Sequence, residues 1–528
     1  MSDEILDVAV VGGGVSGVYS AWRLLTEGGK SKVAVYEASD RIGGRLLSIS
    51  APEIPSMTAE LGGMRILPAV QPRIKTLIEV LNEDATPADL IETYPFPVDD
   101  PNNISYLRGT YLRLSDFTKD PSKVPYQLSF LEYGQTAGSI VINAIEQIVP
   151  GITDPGMTEE QRRRMIRNCS FGGRPLYEQG FWQVLLRVIS SEAYQLAVAS
   201  GGYETTLTNW NAADAIPWYL SDFGVNPDYR GFRRGFQQVP LTVAQRFEAK
   251  GGKIYKNKKV CGFVWNDGQV EIQFEGESAP VRARALILAM PRRALELISG
   301  GSPLLQKPEA VKLIKSVTPR PLFKLFTTYK YPWWLPAGVE AGRSTTDLPV
   351  RQTYYWPKDD GTPATGGRSM LMASYDDGMN IGFWDGFRDK RGVGWRKDAE
   401  GAPQHEWFLG EADKKGTGNE EWLQHHAPKD MVAEVQRQLA LMHGLTFTPE
   451  AVDAAFKDWG DDPYGGGWNS WNIGVQSWDV KKRITQPEDG VPVYICGEAY
   501  SDAQGWVEGA LQTADLVLGK FGLGALGA

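Results

Sequence analysis

A glycine-rich turn near residue 12 has the spacing that binds the pyrophosphate of a dinucleotide. Gly12, Gly14 and Gly17 match the pattern G-x-G-x-x-G, and Glu37 lies twenty residues beyond the last glycine. Glycines at these positions allow a sharp turn, close approach of backbone N–H groups to phosphate, and tight packing of a helix on a strand, while the acidic residue accepts hydrogen bonds from a ribose. Because glycine is abundant, at 58 residues, the pattern gains its specificity from the apolar segment before it and the helical segment after it.

Two arginines flank a second glycine pair shortly after Glu37. The segment reads Arg41-Ile42-Gly43-Gly44-Arg45. A guanidinium fork fits phosphate oxygens, so this segment is predicted to add phosphate contacts. A surface turn with two solvated arginines is the alternative interpretation.

Three blocks of residues resemble the signature of the flavin-dependent amine oxidase family. They are Val10 to Arg45, then Glu60-Leu61-Gly62-Gly63-Met64-Arg65, and finally Cys496-Gly497-Glu498-Ala499 with Gly505-Trp506-Val507-Glu508-Gly509-Ala510. Because these blocks lie at opposite ends of the chain, the resemblance covers essentially its whole length. Within the family, the Met64-Arg65 ending, the stretch Thr345–Pro349 and the pair Tyr354-Tyr355 are most similar to L-amino-acid oxidases.

The resemblance implies FAD as the cofactor. The residues implied as FAD contacts are Gly12, Gly14, Val15, Ser16, Gly17, Glu37, Ala38, Arg45, Gly62, Gly63, Met64, Arg65, Val260, Gly497, Glu498, Trp506 and Val507. Glu498 matches a carboxylate near the ribityl chain, and the helix that begins near Trp506 would direct its positive end at the flavin ring. Val260 matches a residue whose backbone meets adenine, although a core valine explains it nearly as well.

Covalent attachment of the flavin is not expected. Monoamine oxidases carry a cysteine after a Gly-Gly pair for this bond, and here Gly466-Gly467 is followed by Trp468. We therefore predict noncovalent FAD.

Arg65 matches the arginine that binds the substrate carboxylate in L-amino-acid oxidases. A guanidinium is a bidentate partner for that planar anion, and simple amines have no carboxylate to bind. Its alternatives are a phosphate or flavin contact and a structural ion pair. The resemblance also implies a hydrogen bond to the carboxylate from Tyr355 or Tyr354, only one of which faces the site because side chains alternate along a strand. Trp506 would form a wall beside the flavin, and the Gly505 carbonyl would accept from the α-amine.

Lys324 is the predicted catalytic residue. It stands among apolar neighbours in Phe323-Lys324-Leu325-Phe326, where burial of a lysine is costly without a partner. The resemblance implies that this lysine holds a water against the flavin and assists the reaction with oxygen. An edge-strand lysine that reaches solvent is the alternative.

The elements that must position these residues follow from apolar patterns. Residues 5–11 and 32–36 read as buried strands around a helix at 15–26. Thr158 to Gln161 is predicted to be a capping box. The remaining predicted strands are 253–255, 270–274, 285–289, an alternating strand at 322–329 and 491–496, and the remaining predicted helices are 429–443 and about 506–520.

The predicted fold class is α/β, or α+β overall. A Rossmann-like FAD-binding domain is assembled from residues 1–70, 231–320 and 480–528, and a mixed-sheet substrate-binding domain from 71–110 and 321–479. Residues 111–230 form a helical domain.

Composition argues against several classes of protein. The net charge of −9 disfavours nucleic acids and anionic membranes as partners, and no apolar stretch approaches the ~20 residues that span a bilayer. The acidic start is unlike a signal peptide, so we expect a cytoplasmic protein. Neither a metal site nor a disulfide framework is expected from the widely separated Cys169, Cys261 and Cys496. Surface positions are expected for the four histidines, His405, His425, His426 and His443.

The expected activity is oxidative deamination of an L-amino acid by molecular oxygen, in a homodimer or higher homo-oligomer. An amino-acid 2-monooxygenase and a monoamine or polyamine oxidase are the enzymatic alternatives, and a flavin-binding protein without turnover is a third. Asp214 and Asp222 could meet a basic substrate side chain, but each is predicted to be a surface carboxylate.

Overall fold

The structure is a computed structural model that describes residues 5–222, 227–388, 407–415, 419–461 and 463–527. His405 lies outside the described residues. Among the described residues, no helix has both the length and the apolar character that crossing a membrane requires.

A first sheet of seven strands carries the glycine-rich turn. Its central strands are Leu6–Val11 and Val281–Ala289, which pair in parallel. The remaining strands are Val33–Tyr36, Lys253–Tyr255, Val260–Asn266, Gln269–Phe274 and Val493–Cys496. The strand Val281–Ala289 also pairs with Gln269–Phe274 near its start and with Val493–Cys496 near its end. This is the predicted α/β architecture, with strands drawn from distant parts of the chain.

Helices cover the first sheet because its central strands are apolar on both faces. Val8, Val10 and Ile287 pack on one side against the helices Val15–Thr26, Gln238–Ala249 and Val507–Gly519. Burial of both faces is usual for parallel strands that read as continuous apolar runs. The strands predicted at 5–11 and 32–36 and the helix at 15–26 are confirmed within one residue at each end.

A second sheet also contains seven strands. Its order is Ala454–Asp458, Phe323–Tyr329, Ser369–Asp376, Gln352–Tyr355, Arg343–Thr346, Ile104–Leu107 and Thr110–Arg113. The prediction that 322–329 alternates between buried and exposed residues is wrong. Phe323–Tyr329 is buried at every position, because it has a neighbouring strand on each side and is covered on both faces.

Helices dominate residues 137–222. They are Ala137–Ile148, Glu159–Arg167, Phe181–Leu185, Ser191–Gly201 and Ala212–Asp222. The capping box at Thr158 and Gln161 is confirmed. The predicted boundaries of the three domains remain predictions.

Shorter elements connect these layers. The other helices are Pro72–Asn82, Asp116–Lys119, Arg292–Ile298, Pro303–Gln306, Pro308–Ile314, Ile381–Trp384, Glu411–Lys415, Glu420–Leu423, Lys429–Met442 and Ser477–Ile484. Two-stranded pairs join Ser48–Ser50 to Thr58–Glu60, Thr93–Pro95 to Arg230–Phe232, Ser170–Phe171 to Arg174–Pro175, and Val317–Arg320 to Trp468–Trp471.

Candidate functional site

A cavity of about 840 Å³ is lined by residues of both sheets. It begins beside Glu37 and Val260, passes the glycine-rich turn, and reaches Arg65, Lys324 and Trp506. Its wall includes most of the residues predicted to bind cofactor or substrate, namely Gly12, Gly14, Val15, Ser16, Glu37, Ala38, Arg45, Gly62, Gly63, Met64, Arg65, Val260, Lys324, Gly497, Glu498, Gly505, Trp506 and Val507. Residues more than 400 positions apart in the chain thus face one volume.

The glycine-rich turn has the geometry that its sequence predicts. Gly12 has a φ of 110°, and a Cβ there would lie 2.4 Å from the Ala289 carbonyl oxygen. A Cβ on Gly17 would lie 1.9 Å from the Gly12 carbonyl oxygen, so only glycine lets the helix approach the turn this closely. Within the described residues the helix Val15–Thr26 starts without a side-chain cap, which leaves its first N–H groups for an anion in the cavity.

Glu37 closes one side of the turn. Its Oε2 accepts a hydrogen bond of 2.6 Å from the Gly13 N–H, and its Oε1 accepts one of 2.8 Å from the Ser39 N–H. The carboxylate is therefore fixed at the cavity wall, where a ribose hydroxyl can donate to it.

The two arginines of the second glycine pair have different partners. Arg45 Nη2 lies 2.8 Å from Glu498 Oε2, and Arg45 Nη1 donates to the Gly467 carbonyl. Arg41 instead donates to the carbonyls of Gly44 and Leu46 within its own loop. Both side chains are half-buried in the cavity wall, so the alternative of a solvated surface turn is wrong.

Glu498 links the end of the first sheet to the last helix. It is 5% exposed and accepts hydrogen bonds from the backbone N–H groups of Asn469 and Gly505. The helix Val507–Gly519 follows, with Trp506 at its N-terminus and Val507 in the cavity wall. The positive end of a helix of 13 residues therefore faces the cavity.

The segment from Glu60 to Arg65 carries Arg65 from the short strand Thr58–Glu60 into the cavity. Lys324 Nζ donates to the carbonyl oxygens of Glu60 at 3.0 Å and Gly62 at 2.5 Å, and Trp459 Nε1 donates to that of Leu61 at 2.7 Å. This segment is thus held by side chains from the second sheet and the loop that follows it.

Arg65 is buried among aromatic rings. Its guanidinium carbon lies 4.0 Å from the centroid of the Tyr229 ring, and the side chain is 5% exposed. Nη1 lies 3.2 Å from the Tyr354 hydroxyl and Nη2 lies 3.5 Å from the Tyr203 hydroxyl. Burial opposes the charge, yet the surrounding tyrosines and Asp222 hold the pKa of Arg65 above its ordinary value.

Lys324 is buried in the interior of the second sheet, so the alternative of an edge-strand lysine is wrong. It is 3% exposed, and its Nζ lies 4.9 Å from the centroid of the Tyr375 ring on the paired strand. Burial lowers the pKa of Lys324 well below its ordinary value, and the Glu60 carboxylate acts in the opposite direction. With two N–H groups on carbonyls, the third N–H remains for a group in the cavity.

The prediction that Tyr355 binds the substrate is wrong. Its hydroxyl lies 2.6 Å from Ser344 Oγ and 2.7 Å from His443 Nε2, inside a separate apolar cluster. Because side chains alternate along a strand, Tyr354 points the other way and meets Arg65. Tyr354 is 1% exposed and so acts on the cavity through Arg65.

The predicted surface positions of two carboxylates and a histidine are also wrong. Asp214 and Asp222 are 7% and 5% exposed, and Asp222 lines the cavity. His443 is 4% exposed, and burial lowers its pKa to about 4. His425 and His426 are half-buried, and His425 also lines the cavity. A polar side chain can be buried when it has a hydrogen-bond partner in the protein interior. The sequence does not show that partner, so these residues were predicted to lie at the surface.

Aromatic residues that the sequence analysis did not single out complete the cavity around Arg65. They are Tyr203, Trp218, Tyr375 and Trp468, which line the same volume as Trp506. The Trp218 and Trp468 rings stack with centroids 5.7 Å apart and planes 20° apart. Trp218 and Asp222 lie four residues apart within the region predicted to be helical, and this spacing is a signal that would have identified the face.

Comparisons with known proteins match most of the chain to one family. A family model described as flavin containing amine oxidoreductase matches residues 15–392 and 414–517. Aplysianin-A from Aplysia kurodai is 26% identical over 98% of this chain and 90% of that protein. Achacin from Lissachatina fulica is 25% identical over 98% of this chain and 93% of that protein.

One further relative is similar in sequence, and one solved structure is similar in fold. The L-amino-acid oxidase BmooLAAO-I from Bothrops moojeni is 23% identical over 96% of this chain and 87% of that protein. A structure of wild-type putrescine oxidase bound to putrescine has a TM-score of 0.65 at 17% identity and covers 97% of both chains. At this identity, the solved structure is similar in fold alone.

Proposed function

The chain belongs to the flavin-containing amine oxidoreductase family and binds FAD, and we propose that it is an L-amino-acid oxidase. In the proposed reaction an L-amino acid, oxygen and water give a 2-oxo acid, ammonia and hydrogen peroxide. FAD, when bound, supplies the redox chemistry by accepting two electrons from the substrate and passing them to oxygen. The chain itself binds and orients the substrate.

The observation that carries the proposal is the unpaired charge of Arg65. Among the residues that the structure describes, the hydrogen-bond partners of Arg65 are the hydroxyl groups of Tyr354 and Tyr203, and no carboxylate forms a salt bridge with it. A buried cation without an anion is costly, so this site is suited to a ligand that brings a carboxylate. An L-amino acid has that group, whereas a simple amine leaves the charge of Arg65 unpaired.

Two other groups orient the substrate in this proposal. With the carboxylate on Arg65, the α-amine is proposed to lie near Trp506 and the Gly505 carbonyl, which line the same cavity. Gly505 has a φ of 84° and its N–H donates to Glu498, which fixes the peptide whose carbonyl accepts from the amine. Restricting the substrate in this way supplies much of the rate acceleration by orientation.

The FAD is proposed to be noncovalent. Trp468 stands where monoamine oxidases have the attached cysteine, and it lines the cavity with its ring stacked on Trp218. Cys261 lines the cavity beside Val260, at the end where we expect adenine. Assembly into a homodimer or higher homo-oligomer remains a prediction.

The proposal is tested by anaerobic reduction of the bound flavin. We expect L-amino acids to bleach the flavin absorbance, and putrescine and simple monoamines to leave it unchanged. Under oxygen, the product should be the 2-oxo acid with an equal amount of peroxide. Reduction by amines alone would favour a monoamine or polyamine oxidase, and an amide product would favour a 2-monooxygenase. If no compound bleaches the flavin, the protein is a flavin-binding protein without turnover.

A further inference from the structure

Asp222 places a buried carboxylate in the cavity close to Arg65. The side chain is 5% exposed and lies in the cavity wall at the end of the helix Ala212–Asp222. Its Oδ1 lies 3.0 Å from the Tyr229 hydroxyl, which donates to it. No hydrogen bond to its Oδ2 is found among the described residues, so this oxygen is open to a group in the cavity.

Tyr229 connects this carboxylate to Arg65. The ring face of Tyr229 lies 4.0 Å from the Arg65 guanidinium carbon, and its hydroxyl meets Asp222. The two opposite charges are therefore separated by one phenol ring and do not form an ion pair with each other. The cavity offers a cation for an anionic group and, a short distance away, an anion for a cationic group.

Aromatic rings lie next to Asp222 on the same helix face. Trp218 precedes Asp222 by one helical turn, so both side chains face the cavity. Trp218 stacks on Trp468, and its Nε1 donates to the Gln504 carbonyl at 2.7 Å. The rings form a rigid apolar surface against which the methylene groups of a long side chain can pack.

Two other acidic groups nearby are less suited to bind a ligand in the cavity. Asp377 lines the cavity, but its carboxylate accepts from the Glu204 N–H and from the N–H and hydroxyl of Thr205. Asp214 lies on the same helix as Asp222 and accepts from Ser477 Oγ at 2.6 Å. Its Oδ2 is buried without a hydrogen-bond partner among the described residues, but Asp214 does not line the cavity. Asp222 thus combines a position in the cavity wall near Arg65 with a carboxylate oxygen left for a ligand.

We propose that Asp222 binds the cationic end of the substrate side chain, which makes basic L-amino acids such as L-arginine and L-lysine the preferred substrates. This inference rests on the proposed function, because it assumes that Arg65 binds the α-carboxylate. The side chain then extends along Trp218 and Trp468 to Asp222. A largely buried carboxylate is costly to keep charged, and a cationic substrate offsets that cost where a neutral one does not.

The test compares pairs of substrates that differ in charge and little in shape. L-arginine is measured against L-citrulline, and L-lysine against L-norleucine. In the wild-type protein we expect kcat/KM to be about 10- to 100-fold higher for the charged member of each pair, the range of a hydrogen bond to a charged group. This comparison needs no variant, so it remains decisive if a variant fails to fold.

Asp222→Asn and Asp214→Asn are the matched variants. We expect Asp222→Asn to reduce the ratio of kcat/KM between L-arginine and L-citrulline to near one, and Asp214→Asn to keep the wild-type ratio. A wild-type protein without a preference for charged substrates overturns the inference. So does an equal loss on both substrates in Asp222→Asn, which would mean that Asp222 supports Tyr229 and Arg65 or binds the α-amine.

Failure of the proposed function gives a different result. If no L-amino acid yields a 2-oxo acid, the proposed function is wrong and the inference falls with it. If L-citrulline and L-norleucine are oxidised as well as the basic amino acids, the function stands and only the inference fails.

Discussion

Arg65 Nη1 lies 3.2 Å from the hydroxyl of Tyr354, which joins the segment after Glu60 to the middle of the second sheet. Tyr354 belongs to the strand Gln352–Tyr355, whose other neighbours are strands of the same sheet. The position of the guanidinium is therefore set by a rigid element. A substrate carboxylate meets an arginine that is already oriented, which lowers the entropy cost of binding.

Arg65→Met should lower kcat/KM for an L-amino acid by about 100-fold, the value of a charged hydrogen-bonding partner. The loss should appear mainly as a higher KM, because the group binds the unreacting carboxylate. Arg65→Lys is the control because it keeps the charge without the bidentate geometry, and its kcat/KM should lie between those of the wild-type protein and Arg65→Met. Flavin content is measured by absorbance in each variant, and an unchanged KM in Arg65→Met would contradict the assignment.

Tyr354→Phe and Tyr355→Phe should separate binding from stability. Tyr354→Phe removes the hydroxyl beside Arg65, so we expect KM for L-amino acids to rise several-fold with little change in thermal midpoint. Tyr355→Phe removes hydrogen bonds to Ser344 and His443 and should cost about 1–2 kcal/mol of stability with KM unchanged. The same effect of both variants on KM would be inconsistent with the alternation along this strand.

Lys324→Met should slow the reaction of the reduced protein with oxygen more than its anaerobic reduction by substrate. The resemblance assigns this lysine to the oxygen reaction, and its free N–H faces the cavity. We expect a loss of about 100-fold, as for removal of a preorganised charged donor. Stopped-flow absorbance measures the two half-reactions separately. Equal losses in both would instead indicate that Lys324 acts only by holding the carbonyls of Glu60 and Gly62.

Gly17→Ala should reduce FAD content and stability because a Cβ would meet the Gly12 carbonyl at 1.9 Å. The expected loss of stability is about 1–3 kcal/mol, as for an overpacked interior. Gly138→Ala is the matched control, since Gly138 also lies in the first turn of a helix but has no atom within 4 Å of a Cβ. That variant should keep wild-type flavin content and thermal midpoint. Full flavin content in Gly17→Ala would contradict the tight turn.

His443 should make the protein less stable in acid. Burial lowers its pKa from 6.5 to about 4, so the folded protein favours the neutral ring. Its contribution is fully present above 6.5 and is lost as the pH falls towards 4. Relative to His443→Gln, the wild-type protein should lose about 2 kcal/mol of unfolding free energy between about pH 8 and about pH 5. Urea midpoints of both proteins at these pH values measure the difference, and parallel changes would contradict it.

The glycine-rich turn and its strands could be predicted because local rules decide them. Gly12 needs a positive φ, Gly17 needs the absence of a Cβ, and the continuous apolar run before them requires a strand that is buried on both faces. Each of these requirements is fixed by a residue and its close neighbours in the chain. The family resemblance added Arg65 and Lys324 to the predicted site, and the structure brings both residues to the same cavity.

The rest of the site depends on contacts between distant segments. Tyr354 and Tyr355 are adjacent and chemically identical, and only the registration of their strand decides which one meets Arg65. Asp222 was predicted to be a surface carboxylate because its partner, Tyr229, lies outside the helix, 7 residues further along the chain. The strand Phe323–Tyr329 was expected to alternate because its coverage on both faces comes from elements far away in the chain.

The pairing of Val281–Ala289 with both Leu6–Val11 and Val493–Cys496 has a consequence for biosynthesis. The ribosome makes the glycine-rich turn first, but the carboxylate of Glu498 and the helix from Val507 join it only after several hundred more residues. Until then the emerging chain has half of a nucleotide cleft, with its apolar strand edge unpaired. The complete cleft therefore forms only after residue 507 has been translated, and until then the N-terminal segment exposes a strand edge of the kind that promotes aggregation.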